Sequence, residues 1–246
     1  YGPKRLICRC ATALSALTAL KGLFDNMDHY RFIFARHGQS EHNRKRLLQG
    51  QFNSGLTSTG VRQAEALAEY LNNEGATFGR IITSPLERAR HTAQIVADKL
   101  NAPLEINDNW KERHFGQGEN KSYDDIRSWF KQNGHPTPFE PAFEDGESAW
   151  SIHQRAMQAI EHLLSLPVGS YLVVAHGHVF SVVIGLILGI LPSGGRRPPV
   201  HLTAFDNTST AELEYHPDSG QWVLRRLNDT RHLVGVTMPE STENIL

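Results

Sequence analysis

Two histidine–glycine pairs stand at the ends of two apolar runs. Residues 32–35, "FIFA", break into Arg36-His37-Gly38, and residues 171–175, "YLVVA", break into His176-Gly177-His178. A third run, "RIITS" at 80–84, passes through Pro85 into a segment carrying Arg88 and Arg90. These residue types suit phosphorus chemistry. A neutral imidazole is a competent nucleophile near pH 7 without a large pKa shift. Arginine presents a planar fork of donors that matches phosphate oxygens. Phosphoryl transfer asks mainly for positioning and for neutralised charge, and arginines could supply that charge with no metal. Glycine after each histidine would let the backbone approach a ligand closely. Glu112, in "NWKERHFGQGE" between Trp110 and Phe115, is a candidate acid for a leaving alcohol.

For these groups to meet, the chain must bring the three run ends together. From Tyr30 the pattern alternates strand and helix. "TGVRQAEALAEYLNN" has a helical apolar face at Val61, Ala64, Leu67, Ala68 and Leu71, with Thr59 as its cap. "LERARHTAQIVADKL" and "ESAWSIHQRAMQAIEHLLSL" are further amphipathic helices, and a short helix is expected over 123–132. "HLTAFD", "TAELEYH" and "QWVLRRL" read as three late strands. The fold class that follows is three-layer α/β/α, a mostly parallel doubly wound sheet with antiparallel edge strands. In such sheets the sites lie at the carboxyl ends of strands, where His37 and His176 would share one crevice.

The composition excludes several alternatives. With 246 residues, 39% hydrophobic, and a formal net charge of −1, the chain can bury a sizeable core and is a poor match for a nucleic-acid partner. Cys8 and Cys10 are the two cysteines, so no disulfide framework holds the body together. Residues 179–191 are apolar, but a membrane span needs about 20 residues, and the segment reads as a buried helix. The first 26 residues lack acids up to Asp25 and are rich in Ala, Leu, Ser and Thr; they suit an organelle transit peptide, a poor secretory signal or an extension of no structural role. The expected organisation is an N-terminal extension over 1–28, a catalytic domain over 29–230 and a tail over 231–246, with a cytoplasmic location unless the extension is a genuine targeting signal. Either a monomer or a homodimer fits.

Single features have bland readings. A lone strand-end histidine is usually structural, but the pattern occurs twice here. His176 and His178 could pair on a metal, yet no carboxylate or cysteine stands at ligand spacing, so neither metal nor cofactor is expected. Arg90 and His91 read as surface residues. Arg155 reads as a surface or salt-bridge residue, and Glu147 as a helix-start residue facing the dipole.

Taken together, "ARHGQSEHN", "LTSTGVRQAE", "TSPLERARHTAQIVA", "WKERHFG", "GES" and "VVAHGH" resemble the histidine phosphatase superfamily, in its phosphoglycerate mutase-like branch, over about residues 30–227. The resemblance implies that His37 becomes the phosphohistidine, that Arg36 and Arg88 hold phosphoryl oxygens, and that His176 donates to the same group beside Gly177. It makes Glu112 the proton donor and Asn43 a polar residue of the phosphate pocket.

The resemblance leaves open a metal-independent phosphatase acting on a small phosphate ester, a 2,3-bisphosphoglycerate-dependent phosphoglycerate mutase, and a binding protein of the same fold. "KERHFG" leans toward mutases. The mutases carry a longer insertion between Glu112 and His176, with paired arginines; here it is shorter and holds Glu140, Glu144, Asp145 and Glu147, a poor clamp for a second phosphate. Arg196 and Arg197 would substitute only if their loop folded over the pocket. Hydrolysis is therefore the favoured expectation. "GQGENKS" and "QGQFNSGLT" depart from the family pattern, leaving the substrate open; Phe52, Trp129 and Phe139 could meet an apolar leaving group.

Overall fold

The computed structural model describes residues 28–192 and 205–236. Among these, six strands form one sheet in the order β3-β2-β4-β1-β5-β6. They are β1 (Tyr30–Arg36), β2 (Arg80–Thr83), β3 (Leu104–Ile106), β4 (Ser170–Ala175), β5 (Thr210–His216) and β6 (Gln221–Asp229). The four from β3 to β1 pair in parallel; β5 is antiparallel to both β1 and β6. Six α-helices accompany them among the described residues: α1 (Glu41–Lys45), α2 (Ser58–Asn73), α3 (Glu87–Leu100), α4 (Tyr123–Asn133), α5 (Ala149–Ser165) and α6 (Gly177–Ile187).

The three layers follow from strand alternation. On β1, Phe32 and Phe34 face α5 and α6, packing with Ile152, Ala156, Phe180 and Val183. Ile33 and Ala35 face the opposite layer with Leu67 and Leu71 of α2 and Val96 of α3. β4, between β2 and β1, is buried at all six positions, as a parallel strand covered on both faces should be. A smaller cluster of Leu48, Phe115, Ile126 and Phe143 joins α4 to the loops beside it.

Several boundaries differ from expectation. Thr57, not Thr59, caps α2, its side chain accepting from Gly60 N. The apolar helix stops at Ile187 rather than running to 191, because the chain turns at Gly189 with φ +74. Most of "HLTAFD" lies outside the described residues, and Phe205 and Asp206 form no strand. Packing continues past 230: residues Arg231–Leu233 form a 3-10 turn that buries Leu233, and His232 Nε2 meets Thr208 Oγ1 at 3.0 Å. The 1–27 segment, Arg196 and Arg197 lie outside the described residues. Among those described, no helix is long and apolar enough to cross a membrane.

Candidate active site

Adjacency of β1 and β4 brings the two histidines together. Their register places Arg36 beside Ala175, and His37 N donates to Ala175 O at 2.9 Å. On the other flank, Asn207 Nδ2 donates to His37 O at 3.0 Å, and Thr208 N donates to Arg36 O at 3.1 Å. His37 therefore hangs from backbone held on both sides. Its ring lies 5.1 Å from that of His176, at 58°. β2, on the far side of β4, delivers Ser84, and the first turn of α3 delivers Arg88.

The hydrogen bonds define the tautomer of His37. His37 Nδ1 lies 2.7 Å from Gly38 O, a carbonyl that can only accept, so Nδ1 carries the proton. The lone pair of Nε2 then receives Arg88 Nε at 3.2 Å. Arg88 is 1% exposed, and its remaining arms donate to Gly50 O at 2.7 Å and Phe52 O at 3.1 Å. Ser84 Oγ accepts from Leu86 N at 3.2 Å and shares a second hydrogen bond with His176 Nε2 at 2.8 Å. His176 Nδ1 is buried and without a partner among the described residues. Burial, and after it the charges of Arg88 and Arg36, hold His37 well below 6.5. The same causes, joined by His37 and Arg155, depress His176. Both imidazoles are neutral at pH 7.

Arg36 donates through Nη1 to Phe205 O, and its guanidinium runs beneath Gly177, where a Cβ would meet Nε at 3.6 Å. Glu112 sits at the start of α6: its carboxylate accepts from His178 N and Val179 N, each at 3.2 Å, and from Arg113 N at 2.8 Å. Its charge acts on both Arg36 and Arg88. The loop that carries it is fastened to α5 by Arg155, which donates to Asn109 O, Lys111 O and Glu112 O at 2.9, 2.6 and 3.2 Å, and pairs with both oxygens of Glu147 at 3.0 and 2.7 Å.

Arg36, His37, Arg88, Glu112, His176 and Gly177 thus converge on the carboxyl ends of β1, β4 and β2. Asn43 is adjacent but engaged: its Oδ1 accepts from Ser40 N, Ser40 Oγ and Asn207 Nδ2, completing the capping box of α1. Gly38 proves necessary for a reason other than ligand approach. A Cβ there would stand 2.3 Å from Gly60 O, so α2's first turn crowds it. Glu147 does more than face a helix dipole, since it binds Arg155 and also accepts from His114 N at 2.8 Å. Trp129 packs into the small cluster against Phe143, at 4.6 Å between ring centres, whereas Phe52 and Phe139 are exposed. Arg90 and His91 are exposed, as expected. Among the described residues, no group of three or more His, Cys, Asp or Glu could hold a metal.

Sequence reasoning missed Ser84, Asn207 and Tyr123. Ser84 had a signal, a hydroxyl at a strand end just before proline. Asn207 was obscured by reading a strand through its neighbours. Tyr123 opens α4, is half-buried, and is felt electrostatically by Arg36; burial raises its pKa. The Gly50 and Phe52 carbonyls have no sequence signature, because every residue carries one.

Fold and site together define an α/β protein with a buried, cationic two-histidine pocket at the carboxyl ends of parallel strands. Residues 32–230 match the model of the histidine phosphatase superfamily (branch 1), and the chain belongs to that family. A relative from Photorhabdus laumondii named "Probable phosphoglycerate mutase GpmB" is 34% identical over 206 residues, covering 80% of this chain and 92% of its own. A Yersinia pestis protein of the same name is 32% identical over the same coverage. Among solved structures, Bacillus stearothermophilus YhfR superposes with a TM-score of 0.70 at 26% identity, covering 83% of this chain and 99% of its own. The α-ribazole phosphatase of Shigella flexneri shares the fold, with a TM-score of 0.68 at 24% identity over 81% of this chain and 96% of its own.

Proposed function

We propose that this protein is a metal-independent phosphomonoester hydrolase that acts on a small phosphorylated metabolite through a phosphohistidine at His37. The observation that carries the reading is the tautomer of His37: Nδ1–H is tied to Gly38 O, and the Nε2 lone pair is aimed at the buried guanidinium of Arg88. In the first step, Nε2 forms a bond to phosphorus as the bond to the ester oxygen breaks, and Glu112, which takes up a proton as the anionic ester binds, delivers it to the departing oxygen and is left as the carboxylate. Arg36, Arg88 and an N–H of His176 receive the charge on the equatorial oxygens. In the second step, Glu112 takes a proton from water, the water oxygen bonds to phosphorus, and Nε2 recovers its lone pair. Asn43 and Gly177 border the phosphate, and no cofactor enters the scheme.

Hydrolysis over transfer is supported by the placement of the acidic segment. Gln117 N donates to Glu144 O at 3.1 Å, and Gln117 Nε2 to Glu144 Oε2 at 2.9 Å, so this segment packs onto the 3-10 turn over Gly116–Gly118 that follows the loop carrying Glu112. Residues 138–148 carry four carboxylates and no lysine or arginine, so they offer no cationic clamp for a second phosphate. A mutase is the second reading, favoured by the names of the sequence relatives. A panel of phosphomonoesters decides between them, with 3-phosphoglycerate assayed with and without 2,3-bisphosphoglycerate and His37→Ala as the blank. Hydrolysis predicts phosphate release from one or more esters. Formation of 2-phosphoglycerate only in the presence of the bisphosphate, with little phosphate released, would establish the mutase instead.

A further inference from the structure

We infer that Glu147 and Arg155 are a positioning pair that sets where the carboxyl of Glu112 meets the leaving oxygen. The inference rests on the proposed role of Glu112 and extends it to two residues that do not touch the phosphate.

The loop from Asn107 to Phe115 has little regular structure beyond a 3-10 turn over Asp108–Trp110. Its backbone groups must therefore find partners elsewhere. Buried Trp110 anchors one end against Phe34 and Phe180. The carboxylate of Glu112 is held by His178 N and Val179 N of α6, and its carbonyl by Gln51 Nε2 at 3.0 Å and by Arg155 of α5. Arg155 takes up the carbonyls of Asn109, Lys111 and Glu112 with its two terminal nitrogens, while Nε and Nη2 grip Glu147. Glu147 then holds the other side of the loop: Oε2 accepts from His114 N, and its carbonyl accepts from Arg113 Nε at 3.2 Å and Nη2 at 3.0 Å. The loop is thus clasped on both flanks of Glu112.

This differs from an ordinary surface ion pair, which contributes little. Both partners are largely shielded, with side chains 16% and 20% exposed. The helix that carries Arg155 begins just after Glu147 and is fixed in turn, because Ile152, Ala156, Ala159 and Leu163 of α5 lie in the main core. Core packing therefore reaches the carboxylate of Glu112 through α6 and the backbone that carries it through the guanidinium of Arg155. The fork is what makes this possible, because lysine has three donors on a single nitrogen and cannot serve three carbonyls and both oxygens of a carboxylate.

The test uses the full chain, with Arg155→Lys and Glu147→Gln assayed on glycerol phosphate, whose leaving group needs a proton, and on 2,4-dinitrophenyl phosphate, whose leaving group does not. A displacement of the acid by about 1 Å costs about 10²-fold. The second step is common to both esters and also uses Glu112, so the first step is read from kcat/KM. Each variant should lose about 10²-fold in kcat/KM on glycerol phosphate and no more than about fivefold on the activated ester. A purely structural role would depress both esters alike, and equal losses, or an undiminished kcat/KM on glycerol phosphate, would overturn the inference. If Arg155→Lys does not fold, the nearly isosteric Glu147→Gln decides alone. Wild-type protein with no His37-dependent turnover of either ester would overturn the parent reading, and this one with it.

Discussion

Replacing Arg88 by methionine separates what the clamp does for phosphate from what it costs the fold. The guanidinium is almost fully buried, and its hydrogen bonds go to His37 Nε2 and two backbone carbonyls, none of them anionic. Burial, with Arg36 nearby, pulls its pKa from 12.5 down to about 10. At about 1.4 kcal/mol per pH unit, keeping it charged costs the folded state roughly 3 kcal/mol. The cost is constant well below pH 10, since folded and unfolded chains are both protonated there. Methionine removes it but strips His37 Nε2 and the Gly50 and Phe52 carbonyls of their donor, at about 1–3 kcal/mol each. The losses outweigh the relief by up to a few kcal/mol, so unliganded Arg88→Met should melt below wild type by about 5–10 °C. Phosphate adds a counter-charge to that of Glu112. At about 100 times its Kd it stabilises wild type by about 2.7 kcal/mol, a rise of about 5–10 °C. Arg88→Met should lose most of that rise, and its kcat/KM should fall by about 10²–10³-fold, as for one lost oxyanion donor. Thermal melts with and without phosphate, paired with phosphate-release kinetics, measure both. An undiminished phosphate shift with retained activity would refute the reasoning.

Other expectations follow from the same geometry. Gly38→Ala places a Cβ 2.3 Å from Gly60 O and should lower stability by about 1–3 kcal/mol, read as a lower urea midpoint; an unchanged midpoint would show that α2 shifts freely. Burial depresses several histidines: His37 and His176 well below 6.5, His178 to about 3 and His232 to about 4. The unfolded chain binds the more protons once the pH drops below 6.5, so stability should fall from there toward pH 4, whereas a urea midpoint flat over that range would contradict the burial argument. Because His37 stays neutral, turnover should persist somewhat below pH 6.5; loss of activity with a midpoint at or above that value would contradict it. Chelators should leave turnover unchanged, and loss restored by added metal would revive a metal role for His176 and His178.

Chemistry is easier to read from this sequence than its supports. Arg36, His37, Arg88 and His176 announce themselves because rare residue types interrupt apolar runs, and strand alternation assigns them to one end of one sheet. Their supports are less visible. Arg155 reads as a surface or salt-bridge residue, and it does pair with Glu147, but the three carbonyls it also holds belong to residues of any type and leave no trace in the sequence. Asn207 holds His37 from 170 residues away, a contact that no local pattern encodes. Gly38 stands out in the sequence, but its crowding by Gly60 is a tertiary fact. Thr57 and Thr59 both suit a helix cap, and hydrogen-bond geometry alone selects Thr57. The substrate is unreadable for a related reason: leaving-group contacts come from loops whose side chains follow no periodicity.

The most direct test of covalent catalysis is to trap the phosphoenzyme. Protein mixed with a turned-over ester, quenched in alkali and digested, should carry an acid-labile phosphoryl group on the peptide containing His37, absent from His37→Ala. A phosphoryl group on any other residue, or steady turnover by His37→Ala, would contradict the mechanism at its first step.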